Sequence, residues 1–153
     1  MTRFVGRREF VKTAGAMTAG ISLLGLRTAA GAQSAGAPNA EKLGWRLGCQ
    51  AYSFNHYTFY EAIEKNASLG LRVIEAYPGQ TISKEKPDAK TNEAMFPRDR
   101  KEVKQRLADA GIKLVNYGVC GLSKDEAISR KTFDFAKDMG IETIVSEPEF
   151  EAF

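Results

Sequence analysis

Apolar positions along this chain change period in a fixed order. A glycine is followed by a short apolar run, and at the last three such junctions the glycine ends a stretch with apolar residues every three or four positions. The junction is written four times: Gly44-Trp45-Arg46-Leu47, Gly70-Leu71-Arg72-Val73-Ile74-Glu75, Gly111-Ile112-Lys113-Leu114-Val115-Asn116 and Gly140-Ile141-Glu142-Thr143-Ile144-Val145-Ser146-Glu147. Glycine suits the position just past a helix, where the chain takes a left-handed turn. The run after it suits a strand buried on both faces. Strand and helix in alternation predict a parallel sheet of βα units. The last three runs end in Glu or Asn, at the strand end where such sheets keep their chemistry.

The first strand is expected at 46–54. Thr58-Phe59-Tyr60-Glu61 predicts a capping box that opens a helix with Phe59, Ala62, Ile63 and Ala67 on its buried stripe. Strand two is expected at 71–77. Helix two should start near Asp99 and bury Val103, Leu107 and Ala110, with strand three at 112–117. Ser123-Lys124-Asp125-Glu126 predicts a second capping box, followed by a stripe of Ile128, Thr132, Phe135, Ala136 and Met139. Strand four is expected at 141–146. The junction glycines lie 26, 41 and 29 residues apart. The long interval holds a polar insertion at 78–97, which reads either as a lid or substrate loop or as a solvated excursion. Four strands and three helices are half of an eight-unit barrel of ~250 residues, so the expected fold is α/β, four parallel βα units forming the N-terminal half of a TIM barrel. The chain reads as part of a longer one.

The N-terminus changes the charge picture. Arg7-Arg8-Glu9-Phe10-Val11-Lys12, a weakly apolar stretch at 14–26 and Ala30-Gly31-Ala32 follow the order of a twin-arginine (Tat) export signal with a cleavage site. The apolar stretch is well short of the ~20 residues of a membrane span; an uncleaved anchor is the alternative. The whole chain carries +3, residues 1–32 carry +4, and the remainder carries −1. The basic balance belongs to the signal and is no argument for nucleic acid. Residues 1–32 are assigned to the signal, 33–43 to a flexible linker and 44–153 to the partial barrel. The expected location is periplasmic or otherwise exported, with the Tat machinery as a partner.

Glu75, Asn116 and Glu147 each lie an even number of residues after the apolar residue that opens their strand, so alternation assigns them to one face and one rim. Such carboxylates can hold a hard cation or move protons. Glu147 and Glu75 are therefore catalytic candidates, with Glu147 also a metal-ligand candidate and Asn116 a substrate-binding one. A strand-end carboxylate that only meets solvent is the alternative. Gln50, Tyr52 and Phe54 alternate along strand one and can read sugar hydroxyls or stack on a sugar face; packing against helices is the alternative. His56, the single histidine, reads as an exposed loop residue, having no His or Cys partner at ligand spacing. Cys49 and Cys120 are expected to be free thiols, separated by an intervening strand. No phosphate-binding glycine loop, nucleophile elbow or paired-cysteine zinc motif occurs.

Gly48-Cys49-Gln50-Ala51-Tyr52-Ser53-Phe54, Val73-Ile74-Glu75-Ala76-Tyr77 and Ala110-Gly111-Ile112-Lys113-Leu114-Val115-Asn116-Tyr117 together resemble the sugar phosphate isomerase/epimerase family, which has the xylose isomerase-like TIM barrel. The resemblance spans residues 43–153. It implies a divalent metal (Mn, Mg, Zn or Co) at the barrel mouth, and proton movement next to a sugar carbonyl. It also implies a sugar, rather than a sugar phosphate, for exported relatives with Tat signals. Most metal ligands of the family come from second-half strands, which this chain lacks, so the segment is expected to be inactive alone. A lyase or hydrolase acting on oxidised glycosides, or a non-catalytic sugar-binding module, fits the same frame. A half barrel leaves two strand edges that a homo-oligomer can pair.

Overall fold

A computed structural model describes residues 37–148 and 150–152. The signal assigned to residues 1–32, with Arg7 and Arg8, lies outside the described residues. The fold is α/β. Helix α1 (Pro38–Lys42) precedes strand β1 (Gly48–Gln50), a 3-10 turn at Ala51–Phe54, and helix α2 (Phe59–Ser68). Strand β2 (Val73–Ala76) is followed by β3 (Thr81–Ser83) and β4 (Lys86–Lys90), then helix α3 (Pro97–Asp109), strand β5 (Lys113–Cys120), helix α4 (Glu126–Met139) and strand β6 (Thr143–Ser146). Strands β1, β2, β5 and β6 form a parallel sheet in that order, and β3 and β4 form a separate antiparallel hairpin.

The repeated junction is a helix-ending motif. Gly44, Gly70, Gly111 and Gly140 all have φ between 65° and 75°, a region that side chains with a Cβ avoid. The residue after each glycine sends its N–H to the carbonyl five residues back: Trp45 to Ala40, Leu71 to Asn66, Ile112 to Leu107 and Ile141 to Ala136, at 2.8–3.3 Å. These are the bonds of a Schellman motif. The large apolar residue after the glycine is the position that such a motif packs back against the last helical turn.

The helices cover one face of the sheet. Ile74, Ala76, Leu114 and Tyr117 from the strands pack with Phe59 and Ile63 of α2, Val103 and Leu107 of α3, and Phe135 and Met139 of α4. Tyr117 and Phe135 meet edge to face with ring centres 5.1 Å apart. The Thr58 capping box forms as expected, with Thr58 Oγ1 accepting from the Glu61 N–H and Glu61 accepting from the Thr58 N–H.

Several expectations change. Strand one ends at Gln50, because residues 51–54 coil into a 3-10 turn that buries Ala51. The second capping box is replaced by Asp125, whose carboxylate accepts from the Ala127 N–H, while Ser123 accepts from the Asp125 N–H. Ile128, in the first turn, is exposed, and the α4 stripe begins at Thr132. The insertion at 78–97 is a pinned hairpin. Lys86 Nζ donates to the buried Asp99 at 2.7 Å and to Glu102 at 2.6 Å, and Lys84 reaches Glu61 of α2 at 2.6 Å. Thr91 Oγ1 donates to the Tyr77 carbonyl at 2.7 Å, and the Tyr117 hydroxyl donates to the Thr91 carbonyl. Among the described residues no helix is long and apolar enough to cross a membrane.

Candidate functional site

The other face of the sheet carries a polar row. Pairing places Gln50 beside Glu75, Glu75 beside Asn116, and Asn116 beside Thr143. Gln50 Nε2 donates to Glu75 Oε1 at 2.6 Å, and Asn116 Nδ2 donates to Glu75 Oε2 at 3.3 Å. One carboxylate is thus held by two neutral amides, one from each neighbouring strand. A cavity of about 200 Å³ along this row is lined only by Arg46 and by residues of β1, β2 and β5.

Equal parity alone does not bring Asn116 here. Leu114 pairs with Ile74, and both are in the helix-side core. Strict alternation would send Asn116 the same way. The ladder instead skips Val115, so that Asn116 sits opposite Glu75 and Tyr117 opposite Ala76. One extra residue in a strand turns every later side chain to the opposite face. The bulge at Val115 therefore assembles the row.

Glu147 is not part of it. Asn116 pairs with Thr143, and Cys120 with Ser146. Glu147 follows Ser146, four residues past Thr143, about 13 Å further along at strand rise. Its side chain is exposed, and its N–H donates to the Cys120 carbonyl. The register offset between β5 and β6 separates it from Glu75.

Tyr52 stays close to the row although the strand has ended. Its ring meets that of Tyr77 edge to face at 5.1 Å. The two tyrosines, with Gln50, Pro78, Gly118 and Val119, line a notch of about 310 Å³. Burial, and secondarily the Tyr52 phenol, pushes the Tyr77 hydroxyl pKa above its usual value. Phe54 follows its structural alternative: it packs against the core, and its carbonyl accepts from Gln80 Nε2. His56 is exposed. Cys49 and Cys120 are free, and burial raises the Cys120 thiol pKa.

Strand parity does not single out Gly118 or Tyr77, yet both border the row. The Gly118 carbonyl accepts from Gln50 Nε2 at 3.4 Å, and a Cβ at 118 would lie 2.3 Å from the Val145 carbonyl oxygen. A side chain there would force β6 away. The sequence signal for Tyr77 is its place directly after β2, two residues past Glu75.

At the N-terminal ends of the strands, Glu142 accepts from Arg46 and from Lys113, which sits 2.6 Å away. These two cations, Lys113 first, hold the Glu142 carboxyl below its usual range. Arg46 precedes β1 and Glu142 precedes β6, so one ion pair ties the two outermost strands.

Among the described residues no three His, Cys, Asp or Glu side chains come together. Glu75 is the single carboxylate of the row, and both its oxygens are engaged by amides, whereas a hard cation takes about six oxygens. The row does not form a cation site by itself.

No family model matches the chain, and no curated protein matches it. A solved structure of an uncharacterised protein from Parabacteroides distasonis ATCC 8503 is similar at 26% identity with a TM-score of 0.62. The match covers 69% of this chain and 44% of that one. The chain thus spans less than half the length of the solved structure it matches.

Proposed function

We propose that this chain is the N-terminal half of a TIM barrel belonging to an exported sugar or sugar phosphate isomerase or epimerase, with the amide–carboxylate row facing the barrel interior. The observation that carries the reading is the row itself: Gln50, Glu75 and Asn116 in register on a face lined by strands, beside the Tyr52–Tyr77 notch. Amide and carboxylate groups read sugar hydroxyls, and tyrosine rings stack on the C–H face of a sugar while their hydroxyls stay wet. Four parallel strands and a solved neighbour of more than twice the matched length fit a half barrel. A divalent cation would draw most of its ligands from strands outside Met1–Phe153.

Glu75 is fixed in place by its two amide donors and positions a substrate hydroxyl. Glu147 stands further toward the C-terminal rim as the free carboxylate for proton movement. The test uses a protein carrying this chain together with the missing half. Exchange of the hydrogen next to a sugar carbonyl with D2O is followed over a panel of aldoses and ketoses, with and without phosphate. Glu147→Gln should reduce exchange by ~10²-fold with little change in thermal unfolding, and Glu75→Gln should raise KM. Wild-type exchange in both variants would end the reading. Export is tested separately: Arg7→Lys with Arg8→Lys should retain precursor in the cytoplasm, and normal export would remove the Tat assignment.

A further inference from the structure

We propose that the candidate site continues past Tyr77 into a second, polar pocket, and that its substrate is a reducing sugar carrying a second, uncharged sugar ring. This rests on the reading of the Tyr52–Tyr77 notch as a sugar site. The second pocket, of about 300 Å³, lies between the connections that follow β1 and β2, and its lining residues all fall within 55–61 and 77–87. Strands β1 and β2 are hydrogen-bonded neighbours. The walls of the pocket therefore belong to this chain and not to an uncovered sheet edge.

Notch and pocket share a rim. Tyr77 lines both, Pro78 lines the notch, and Gly79 lines the pocket. Successive Cα atoms are ~3.8 Å apart, so the two spaces lie side by side across one short stretch of chain. Gly79 has φ 91° and puts no side chain on this rim. The notch holds about 310 Å³ and the pocket about 300 Å³, each near the lower limit of the ~300–1,000 Å³ of small-ligand pockets. Two such spaces suit two rings joined by one bond. The carbonyl-bearing ring belongs in the notch, because Gln50 of the amide–carboxylate row lines it. The second ring belongs in the pocket, against the hairpin.

The pocket's chemistry is that of hydroxyl recognition. Asn55 and His56 stand exposed at it, and Thr81 and Ser83 add hydroxyls. Its lysine, Lys84, lies 2.6 Å from the Glu61 carboxylate, so this pair brings no net charge. The α2 N-terminus beside it is closed by the Thr58–Glu61 capping box. An unpaired lysine or arginine, or an open helix N-terminus, is what holds a phosphate, and this pocket offers neither. Gln80 is 3% exposed and lines the pocket. Its Nε2 donates to the Phe54 and Tyr57 carbonyls, while its Oε1 has no partner among the described residues. Buried amide oxygens are normally paired, and a sugar hydroxyl is the donor that this wall lacks.

The protein carrying this chain together with the missing half is titrated by calorimetry. The ligands are matched one-ring and two-ring reducing sugars of the gluco, galacto, manno and xylo series, and the 6-phosphates of the hexoses. In at least one series the two-ring sugar should bind about tenfold more tightly than its one-ring counterpart, the gain of a hydrogen bond or two. Asn55→Ala combined with His56→Ala changes exposed side chains and should remove most of that preference. Tyr52→Ala, in the notch, should weaken one-ring and two-ring sugars alike.

No two-ring preference in any series overturns the proposal. A hexose phosphate bound more tightly than every two-ring sugar also overturns it, as does a preference untouched by the double substitution. The wild-type titrations decide even if a variant misfolds. Binding of the expected pattern without hydrogen exchange on any sugar removes the isomerase reading alone. Exchange on one-ring sugars with no gain from a second ring removes this proposal alone.

Discussion

The two faces of the four-stranded sheet come from the same residues taken alternately, and they are built by opposite rules. On the helix side Ile74, Ala76, Leu114 and Tyr117 meet three helices in a closed apolar core. On the other side Gln50, Glu75 and Asn116 meet one another through directed hydrogen bonds. The first face depends on volume and apolar area, so many sequences satisfy it. The second depends on which residue stands opposite which, and a shift of one position dissolves it. Stability should therefore be concentrated on one face and specificity on the other.

Phe135→Ala breaks the contrast most strongly. The ring is buried and packs edge to face on Tyr117. Its loss should cost about 3–5 kcal/mol, read as a drop in the denaturant midpoint. A cost under ~1 kcal/mol would mean that the helix-covered face is not the stabilising one.

Glu75→Gln addresses the polar face. One of the two amide donors keeps a carbonyl oxygen to bond and the other then faces an NH2 group, a cost of about 1–2 kcal/mol in a half-buried row. The Gln50 and Asn116 side-chain amide resonances should move far more than those of the core methyl groups. A loss as large as that of Phe135→Ala would make the row a structural element first.

Thr58→Ala tests a local feature that belongs to neither face. Loss of the cap should cost about 1 kcal/mol, seen as faster amide exchange in the first turn of α2, with β5 unchanged.

The smallest effect is electrostatic. Lys84, and after it the Thr58 N–H and hydroxyl, hold the Glu61 carboxyl at about 2. A carboxyl pKa depressed on folding stabilises the fold above its unfolded value of about 4.5, and that contribution fades as pH falls from there toward 2. Lys84→Met should raise the Glu61 titration midpoint, followed by carboxyl carbon shifts. An unmoved midpoint would assign the depression to the cap alone.

Much of the fold was legible along the chain. Gly70, Gly111 and Gly140 marked helix ends, Thr58 and Glu61 marked a helix start, and Phe135, Ala136 and Met139 marked a buried stripe. Each of these rests on contacts within about five residues or on helical period. The site was legible only in composition. Residue type points to Gln50, Glu75 and Asn116, but equal parity groups Glu75 and Asn116 with Glu147, and it carries no sign of the bulge that brings Asn116 to Glu75. The pattern carries strand one past its true end because nothing in Ala51-Tyr52-Ser53-Phe54 forbids an extended chain. The hairpin at 81–90 leaves no periodic signal because it is polar and held by distant residues, Asp99 and Glu102 among them.

The sequence by itself determined the α/β alternation and the points where each helix stops, because a glycine with positive φ and an N–H bond five residues back are local facts. The tertiary structure alone decided that Asn116 stands beside Glu75, that Glu147 stands four residues past Thr143, and that a tyrosine from each of two loops shares one notch. Those relations are set by register between strands far apart in the chain. Register depends on bulges and on packing against helices, whose energies are summed only once the whole sheet has formed.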